Sequence, residues 1–264
     1  MGFELAGGRT ALLRRNHRGP LGVQRPFYPE RDGTCHVYLL HPPGGVAGGD
    51  ELTVDVAVGE GARALITVPA AGKLYDGFGA RAQQTQICRV AAGAHLEWLP
   101  QETIVFDGAD AELSSRFELE PGAELVAWEI ICLGRPACDE RFTSGALRQR
   151  FEVYRDGEPL FLERARYAGG DPLLDARWGL RGHPVTGTLV CVTRDATALV
   201  DTLRQEVGAR FPDSFAVSQL REVLVCRFLG DRVEDALSSF RAAWERLRPA
   251  LHDRAPSAPR IWLT

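Results

Sequence analysis

Three segments of this chain repeat one pattern. GEGARALIT (59–67), AAGAHLEWL (91–99) and EPGAELVAW (120–128) each place a Gly-Ala turn before an apolar strand. The pairs begin at Gly61, Gly93 and Gly122, 32 and then 29 residues apart. An interval so nearly constant has two physical readings. It can mark stacked rungs of a β-ladder, each coil covering the apolar face of the last, or the hairpin punctuation of a sandwich. Either way the chain is β-rich. Between residue 34 and about 193, apolar residues alternate over short runs and Gly or Pro interrupts at short intervals, as in Thr53–Val58, Ala64–Val68, Thr85–Val90 and Phe151–Tyr154. That spacing disfavours strands alternating with helices.

The segment from about 194 to 264 reads differently. Val233, Leu237, Phe240, Trp244 and Leu247 form one helical face, with Asp231 as its expected cap and Pro249 as its expected stop. Asp195–Val207 predicts a second helix with Ala198, Leu199, Leu203 and Val207 facing inward, Glu222–Leu229 a strand, and Ile261–Leu263 a last edge strand. The expected architecture over residues 1–264 is one domain, mainly β with two C-terminal helices: a stacked, solenoid-like body with the helices packed on one side.

Composition narrows the class. The net charge is −4, so there is no broad basic field to hold nucleic acid. Six cysteines without a CxxC are too few for a disulfide scaffold and encode no zinc knuckle. The opening MGFELAGGRTALLRR lacks a signal-like apolar stretch, and the most apolar run, Leu125–Leu133, is short and interrupted by Glu129. A cytoplasmic protein with no membrane span is expected.

The chemistry-bearing motifs are sparse. HPPGGVAGGD (41–50) has four glycines in six residues, which either bring the backbone close to something or make two tight turns. No Lys-Ser/Thr follows and a strand opens at Glu51, so it is neither a Walker A loop nor a dinucleotide fingerprint. His41 and Asp50, with a neighbouring carboxylate, have the donors for a weak, transient site for an ion such as Ni²⁺. Glu97, Glu102, Asp107 and Asp110 lie close in sequence and can flank a cleft or be surface charges. No nucleophile stands beside a base, and the residues alone indicate a β-rich binding or scaffold protein.

Eight blocks in one order carry a resemblance: HPPGGVAGGD (41–50), TVPAAGKLYDG (67–77), WLPQETIVFDGA (98–109), EIICLGRP (129–136), RQRFEVYRDGEPLFLERARY (148–167), GGDPLLDARWGLRGHPVTGT (169–188), LVCRFLGD (224–231) and APRIW (258–262). In these the chain resembles the UreD (UreH) family of urease accessory proteins, departing at Val68, where a second Thr is common, and at Leu74, where an aromatic is common.

The resemblance implies a non-enzymatic chaperone. It would bind the urease apoprotein and, with UreF and the GTPase UreG, assist nickel insertion, in an assembly with two copies of each accessory protein. It also implies a polar internal path for Ni²⁺, carried transiently, with no tightly bound cofactor. By position, Asp50 and then Glu163 are the expected functional acids, Glu163 needing Arg164, Arg166 or a wet cavity as partner. Lys73, the only lysine of the chain, and Tyr75 fall in the AA-x-K-x-Y block, while Trp262, Arg260 and Trp244 are expected at a partner interface or, for Trp262, in the core. The alternative is a metal-dependent enzyme on a β-scaffold using His41, Asp50 and Glu163. A carbohydrate-binding ladder would need exposed aromatic rows, and aromatics are only 8% and irregularly spaced.

Overall fold

The computed structural model describes residues 1–193, 197–252 and 256–263. In chain order the strands are β1 (Gly2–Ala6), β2 (Arg9–Arg14), β3 (Gly22–Val23), β4 (Cys35–Leu40), β5 (Glu51–Val58), β6 (Arg63–Thr67), β7 (Gly72–Leu74), β8 (Ala82–Val90) and β9 (His95–Trp98). They continue as β10 (Thr103–Val105), β11 (Asp110–Leu119), β12 (Glu124–Leu133), β13 (Ala146–Arg155), β14 (Glu158–Ala168), β15 (Val185–Val192), β16 (Phe215–Leu220) and β17 (Val223–Gly230). The α-helices are α1 (Pro172–Asp175), α2 (Thr197–Leu203) and α3 (Val233–His252).

Two sheets face each other. One has the order β14-β13-β11-β8-β5-β1-β2, the other β16-β17-β15-β12-β9-β6-β4-β3, with β7 and β10 forming a short third ladder beside β12. The centre of each sheet is parallel and in register. Arg63 pairs with His95 and His95 with Glu124, while across the other sheet Glu51 pairs with Gln83 and Gln83 with Glu112. Both series advance by the 32- and 29-residue interval of the Gly-Ala turns, so the repeat is a stack of coils rather than hairpin punctuation. At each corner the glycine has positive φ (Gly61 64°, Gly93 63°, Gly122 74°), and the following alanine is buried. Ala62, Ala94 and Ala123 each close the turn onto a carbonyl three residues back, and the Ala62 and Ala94 carbonyls accept from His95 and Glu124 one coil further on. Antiparallel additions, β13–β14 in the first sheet and β12–β15–β17–β16 in the second, end the coiling.

The hydrophobic interior is in three parts. Val56, Cys88, Phe117, Phe151, Leu96, Leu125 and Val190 belong to a cluster between the sheets. A second, containing Leu74, Val105, Leu113, Ile131 and Leu147, fills the end where the loops 41–50, 75–81, 106–109 and 142–145 stack. The third lies between the outer face of the second sheet and the helices, around Trp128, Phe240, Trp244, Leu247 and Trp262. β12 is thus buried on both faces, which is why its sequence is nearly continuous in apolar residues. Gly187 on β15 leaves the space that the Phe240 ring occupies.

Several sequence expectations are corrected at the ends of elements. The β structure begins at Gly2 rather than near residue 34, because β1 pairs in parallel with β5. Helix α3 passes through Pro249 to His252, since a proline in the last turn forfeits one backbone bond without breaking the face already packed. Asp231 is not its cap: the first bond runs from Ala236 N–H to the Arg232 carbonyl, and the Asp231 carboxylate pairs with His183 Nδ1 at 2.7 Å. The second helix starts within the expected segment but becomes a π turn at Arg204–Gly208, and Val200, not Ala198, joins Leu203 and Val207 in the core. Asp195 lies outside the described residues. Residues 260–263 form a 3-10 turn rather than an edge strand, held by Trp262 N–H to the Pro259 carbonyl at 3.0 Å. Five cysteines are buried as small apolar groups in strands, and Cys138 is exposed.

A buried ionic cluster ties three distant parts of the chain together. Arg248 on α3 donates to both oxygens of Glu30 at 2.6 Å and through Nε to Glu97 on β9 at 3.0 Å. Glu97 also accepts from Trp244 Nε1 at 2.5 Å, and His36 Nε2 lies 2.5 Å from Glu30. Burial opposes the charge on Glu97, but His95 and Arg248 outweigh it and hold the carboxyl well below the usual range. Burial likewise opposes charge on His95, and contacts with Glu124 and Glu97 overcome it, raising its pKa. Substituting Arg248→Met should therefore strand two carboxylates and cost about 3–5 kcal/mol, read as a lower urea midpoint. Adding Glu97→Gln should recover part of the loss; an unchanged midpoint for the single variant would contradict this role.

Candidate functional site

Parallel in-register stacking sets like positions side by side, so one polar position per coil becomes a polar row. On the inward face of the first sheet, Gln86 of β8 lies beside Ser115 of β11, Ser115 beside Phe151 of β13, and Phe151 beside Glu163 of β14. On the facing sheet, Glu129 of β12, Thr188 of β15 and Arg227 of β17 form a single row. The two rows meet between the sheets. Glu129 accepts from Ser115 Oγ at 2.9 Å and from Gln149 Nε2 at 2.5 Å, and Gln86 Oε1 lies 3.2 Å from the same Ser115 Oγ. Tyr167 donates to Gln149 Oε1 at 3.4 Å. Further out, Thr188 donates to Glu163 at 2.9 Å, and Arg227 donates to Thr188 at 2.9 Å while ion-pairing with Glu163. A polar layer thus crosses the inter-sheet space, with its inner end at Gln86 and Glu129. Its outer end reaches solvent, where the Arg227 side chain is 48% exposed and that of Glu163 14%.

The electrostatics of the two ends differ. Burial pushes the Glu129 carboxyl up to about 7, its hydrogen bonds from Gln149 and Ser115 pull the other way, and the Glu163 charge adds to the rise. Burial, with the Glu163 and Glu129 charges, pushes the Tyr167 hydroxyl up to about 12, so it remains a donor. Every donor atom the layer could offer an ion is an oxygen of a carboxylate, hydroxyl or amide. Such a set suits hard cations and holds a late transition metal weakly compared with imidazole or thiolate.

Glu163 is the one sequence-predicted residue in this layer, and its partners are Arg227 and Thr188. Arg164, expected as a partner, points to the opposite face and pairs with Glu152 at 2.8 Å. Asp50 lies elsewhere. Its carboxylate accepts from Ala47 N–H at 3.0 Å, and it precedes β5, four strand spacings from β14, roughly 19 Å across the sheet. His41 follows β4 of the other sheet and accepts the Gly44 N–H at its carbonyl. The trio His41, Asp50 and Glu163 required for a metal-dependent enzyme is therefore not assembled. Among the described residues, no group of three or more His, Cys, Asp or Glu is placed to hold a metal ion.

The glycine loop is explained by its own neighbours. Gly44 and Gly49 have positive φ (81° and 89°) and make two turns, while Gly45 and Gly48 allow close approach. A Cβ on Gly45 would lie 2.2 Å from the Tyr75 ring, and one on Gly48 would lie 2.4 Å from Gly77 Cα. Lys73 and Tyr75 flank this contact. The Lys73 carbonyl accepts from Val46 N–H at 2.7 Å, Tyr75 N–H donates to the Val46 carbonyl, and the Tyr75 ring meets Phe106 edge-on at 4.7 Å.

Trp244 is corrected from the expected interface, and Trp262 takes the core alternative. Trp244 is fully buried and Trp262 is 9% exposed, packed on Trp128 and Trp244, so both are core; Arg260 is exposed. Three of the four carboxylates between 97 and 110 are held by separate partners: Glu97 joins the Arg248 cluster, Asp107 holds the Thr143 and Ser144 N–H groups, and Asp110 pairs with Arg81 and Arg148. The most exposed aromatics among the described residues are instead Phe78 (97%) and Trp178 (85%), both on loops. Sequence reasoning missed Gln86, Ser115, Gln149, Thr188 and Arg227. The available signal was Glu129 itself, a lone acid in the otherwise apolar run of β12.

Because folding favours the neutral Glu129, its contribution to stability is fully present below the unfolded carboxylate range, near 4.5, and is lost as pH rises through about 7. Between pH ~5.5 and ~8.5 this amounts to about 2 kcal/mol. The Glu129→Gln protein should lack that part of the decline in urea-unfolding series at the two pH values. Parallel declines in both proteins would show that Glu129 is not held neutral.

The comparisons with known proteins agree with the eight sequence blocks. The family model described as "UreD urease accessory protein" matches residues 1–263. A urease accessory protein UreD 2 from Brucella anthropi is 47% identical over 97% of this chain and 93% of its own length. UreD proteins from an Azoarcus species (44% identical, covering 100% and 92%) and Citrobacter koseri (45%, covering 99% and 89%) are similarly close. The chain belongs to the UreD family of urease accessory proteins.

Proposed function

We propose that this protein acts in urease maturation as a non-catalytic scaffold that binds the urease apoprotein and, with UreF and UreG, assists delivery of nickel to it. The family supports the maturation role, and the polar layer from Arg227 and Glu163 inward to Glu129 carries the finer reading. A layer of oxygen donors through an otherwise apolar β body is costly to build unless it serves traffic of a polar species. Its carboxylates can replace part of the hydration shell of Ni²⁺ without the strong ligands that would retain it. Entry of a dication at Glu129 displaces the proton held there, and release restores it.

In this reading Asp50, Lys73 and Tyr75 hold the loop end of the coils in shape. Exposed Phe78 and Trp178 offer aromatic anchors for a protein partner, and Arg260 sits on an exposed turn. The assembly is proposed to contain two copies of each accessory protein and to work in the cytoplasm. Among the described residues no helix is long and apolar enough to cross a membrane.

The test is urease activation in cells that express the structural subunits and the other accessory proteins with nickel. Activity should require this chain. Glu129→Leu, which closes the inner end with an apolar group, should lower activation by about tenfold or more, while Asp50→Ala should reduce it less and in proportion to lost soluble protein. Wild-type activation by Glu129→Leu would overturn the proposed passage.

A further inference from the structure

The carboxylate at the mouth of the polar layer already has a cation, supplied by the protein. The Arg227 guanidinium ion-pairs with Glu163 and donates to Thr188 Oγ1 at 2.9 Å, and Thr188 in turn donates to both Glu163 oxygens, at 2.9 and 3.2 Å. The Phe161 ring centroid lies 5.7 Å from the guanidinium carbon, so the cation rests between a carboxylate and an aromatic face. The first sheet ends at β14, whereas the second continues past β15 to β17 and β16. Arg227 therefore stands at the open rim, and its side chain is half exposed.

These facts fix what Arg227 can do. A guanidinium does not lose its proton in a protein, so its charge leaves Glu163 only if the side chain moves. Glu163 and Thr188 face inward and are buried or nearly so, whereas Arg227 has water on one side and can be resolvated on swinging out. The seat it fills, between the Glu163 carboxylate and the Thr188 hydroxyl, lies in the same strand row as Glu129 two strands away.

We infer that Arg227 is a tethered counter-ion that occupies the seat of a divalent cation at the mouth of the layer, so that an entering ion must displace it. This rests on the nickel-delivery reading and adds a specificity element to it. The resident charge keeps the mouth neutral when empty and weakens the hold on the cargo once it arrives. Arg227 is a positioning residue: it acts through Glu163.

The test is equilibrium dialysis of the full chain against NiCl₂. Arg227→Met keeps the side-chain bulk and removes the charge, and should tighten Ni²⁺ binding by about tenfold, the scale of removing one positive charge a few ångström from a dication in a wet site. Arg227→Lys should bind as the wild type does, and Arg227→Met combined with Glu163→Gln should lose the gain. Unchanged or weaker binding by a folded Arg227→Met protein, checked by far-UV circular dichroism and thermal midpoint, would overturn the inference, as would a gain that survives Glu163→Gln. Should Arg227→Met fail to fold, Arg227→Gln, which keeps a donor for Thr188, is measured in its place against the same outcomes. The urease assay separates the two proposals. Loss of activation by Glu129→Leu together with no tightening by Arg227→Met refutes the counter-ion and leaves the passage standing. Full activation by Glu129→Leu together with tightening refutes the passage while Arg227 remains the resident cation of Glu163.

Discussion

In-register stacking is the constraint from which the rest of this molecule follows. Because Arg63, His95 and Glu124 occupy one row and Glu51, Gln83 and Glu112 another, every inward side chain meets its counterpart one coil along. Apolar positions then merge into slabs, and polar positions merge into layers. The register is held at the corners, where each Gly-Ala pair supplies a positive φ that only glycine adopts without strain, followed by a methyl group small enough to be buried against the next coil. A bulky residue at either position would disturb the corner and shift the strand that leaves it. The polar layer is therefore a product of the same geometry that makes the body stable.

The layer has an energetic consequence for the whole fold. It interrupts the apolar interior between the cluster around Phe117 and Leu125 and the one around Leu113 and Ile131. Each polar group in it needs a partner, and the partners come from both sheets: Ser115 and Gln149 for Glu129, Thr188 and Arg227 for Glu163. The two sheets are thus joined by hydrogen bonds at their midline, where close packing alone would tolerate sliding. The loss of apolar contact there is offset on the outer face of the second sheet, where Trp128, Phe240, Trp244 and Trp262 pack together and Arg248 ties α3 to Glu30 and Glu97.

The sequence made some of this legible and hid the rest for identifiable reasons. The stacked body could be read from glycine spacing because the corner conformation is a local demand, made on one residue type at each turn. The α3 face is legible because helical periodicity holds over five apolar positions from Val233 to Leu247. What could not be read was contact between segments far apart in the chain. Gln86, Ser115 and Gln149 look like ordinary polar residues until the coils stack them, and Arg227 is one charge in the otherwise apolar run of β17, with nothing in the sequence to name Glu163 as its partner. Trp244 suggests an interface because tryptophan is common there, and Trp262 suggests an interface or the core, but the helix and the terminal turn fold onto β12 and bury both. Asp50 ends the most conspicuous motif of the chain, and the glycines of that motif make its turns and its close approach to Tyr75 and Gly77.

The two charge clusters differ in whether a charged group can leave its partner without losing solvent. Around Arg248 the positive and negative groups are closed in on every side: Arg248 and Glu97 are essentially inaccessible, and the arginine is held by three hydrogen bonds to two carboxylates. An ion could enter only by unfolding the contact between α3 and the body. At the rim near Arg227 the same chemical ingredients are arranged with one open side, a single carboxylate and a hydroxyl relay, and an acid held near neutrality lies behind them. A buried pair with no exit is structural because breaking it leaves a charge without solvent. A pair with one member in water can open and close at modest cost, and in this fold that pair stands at the end of the polar layer.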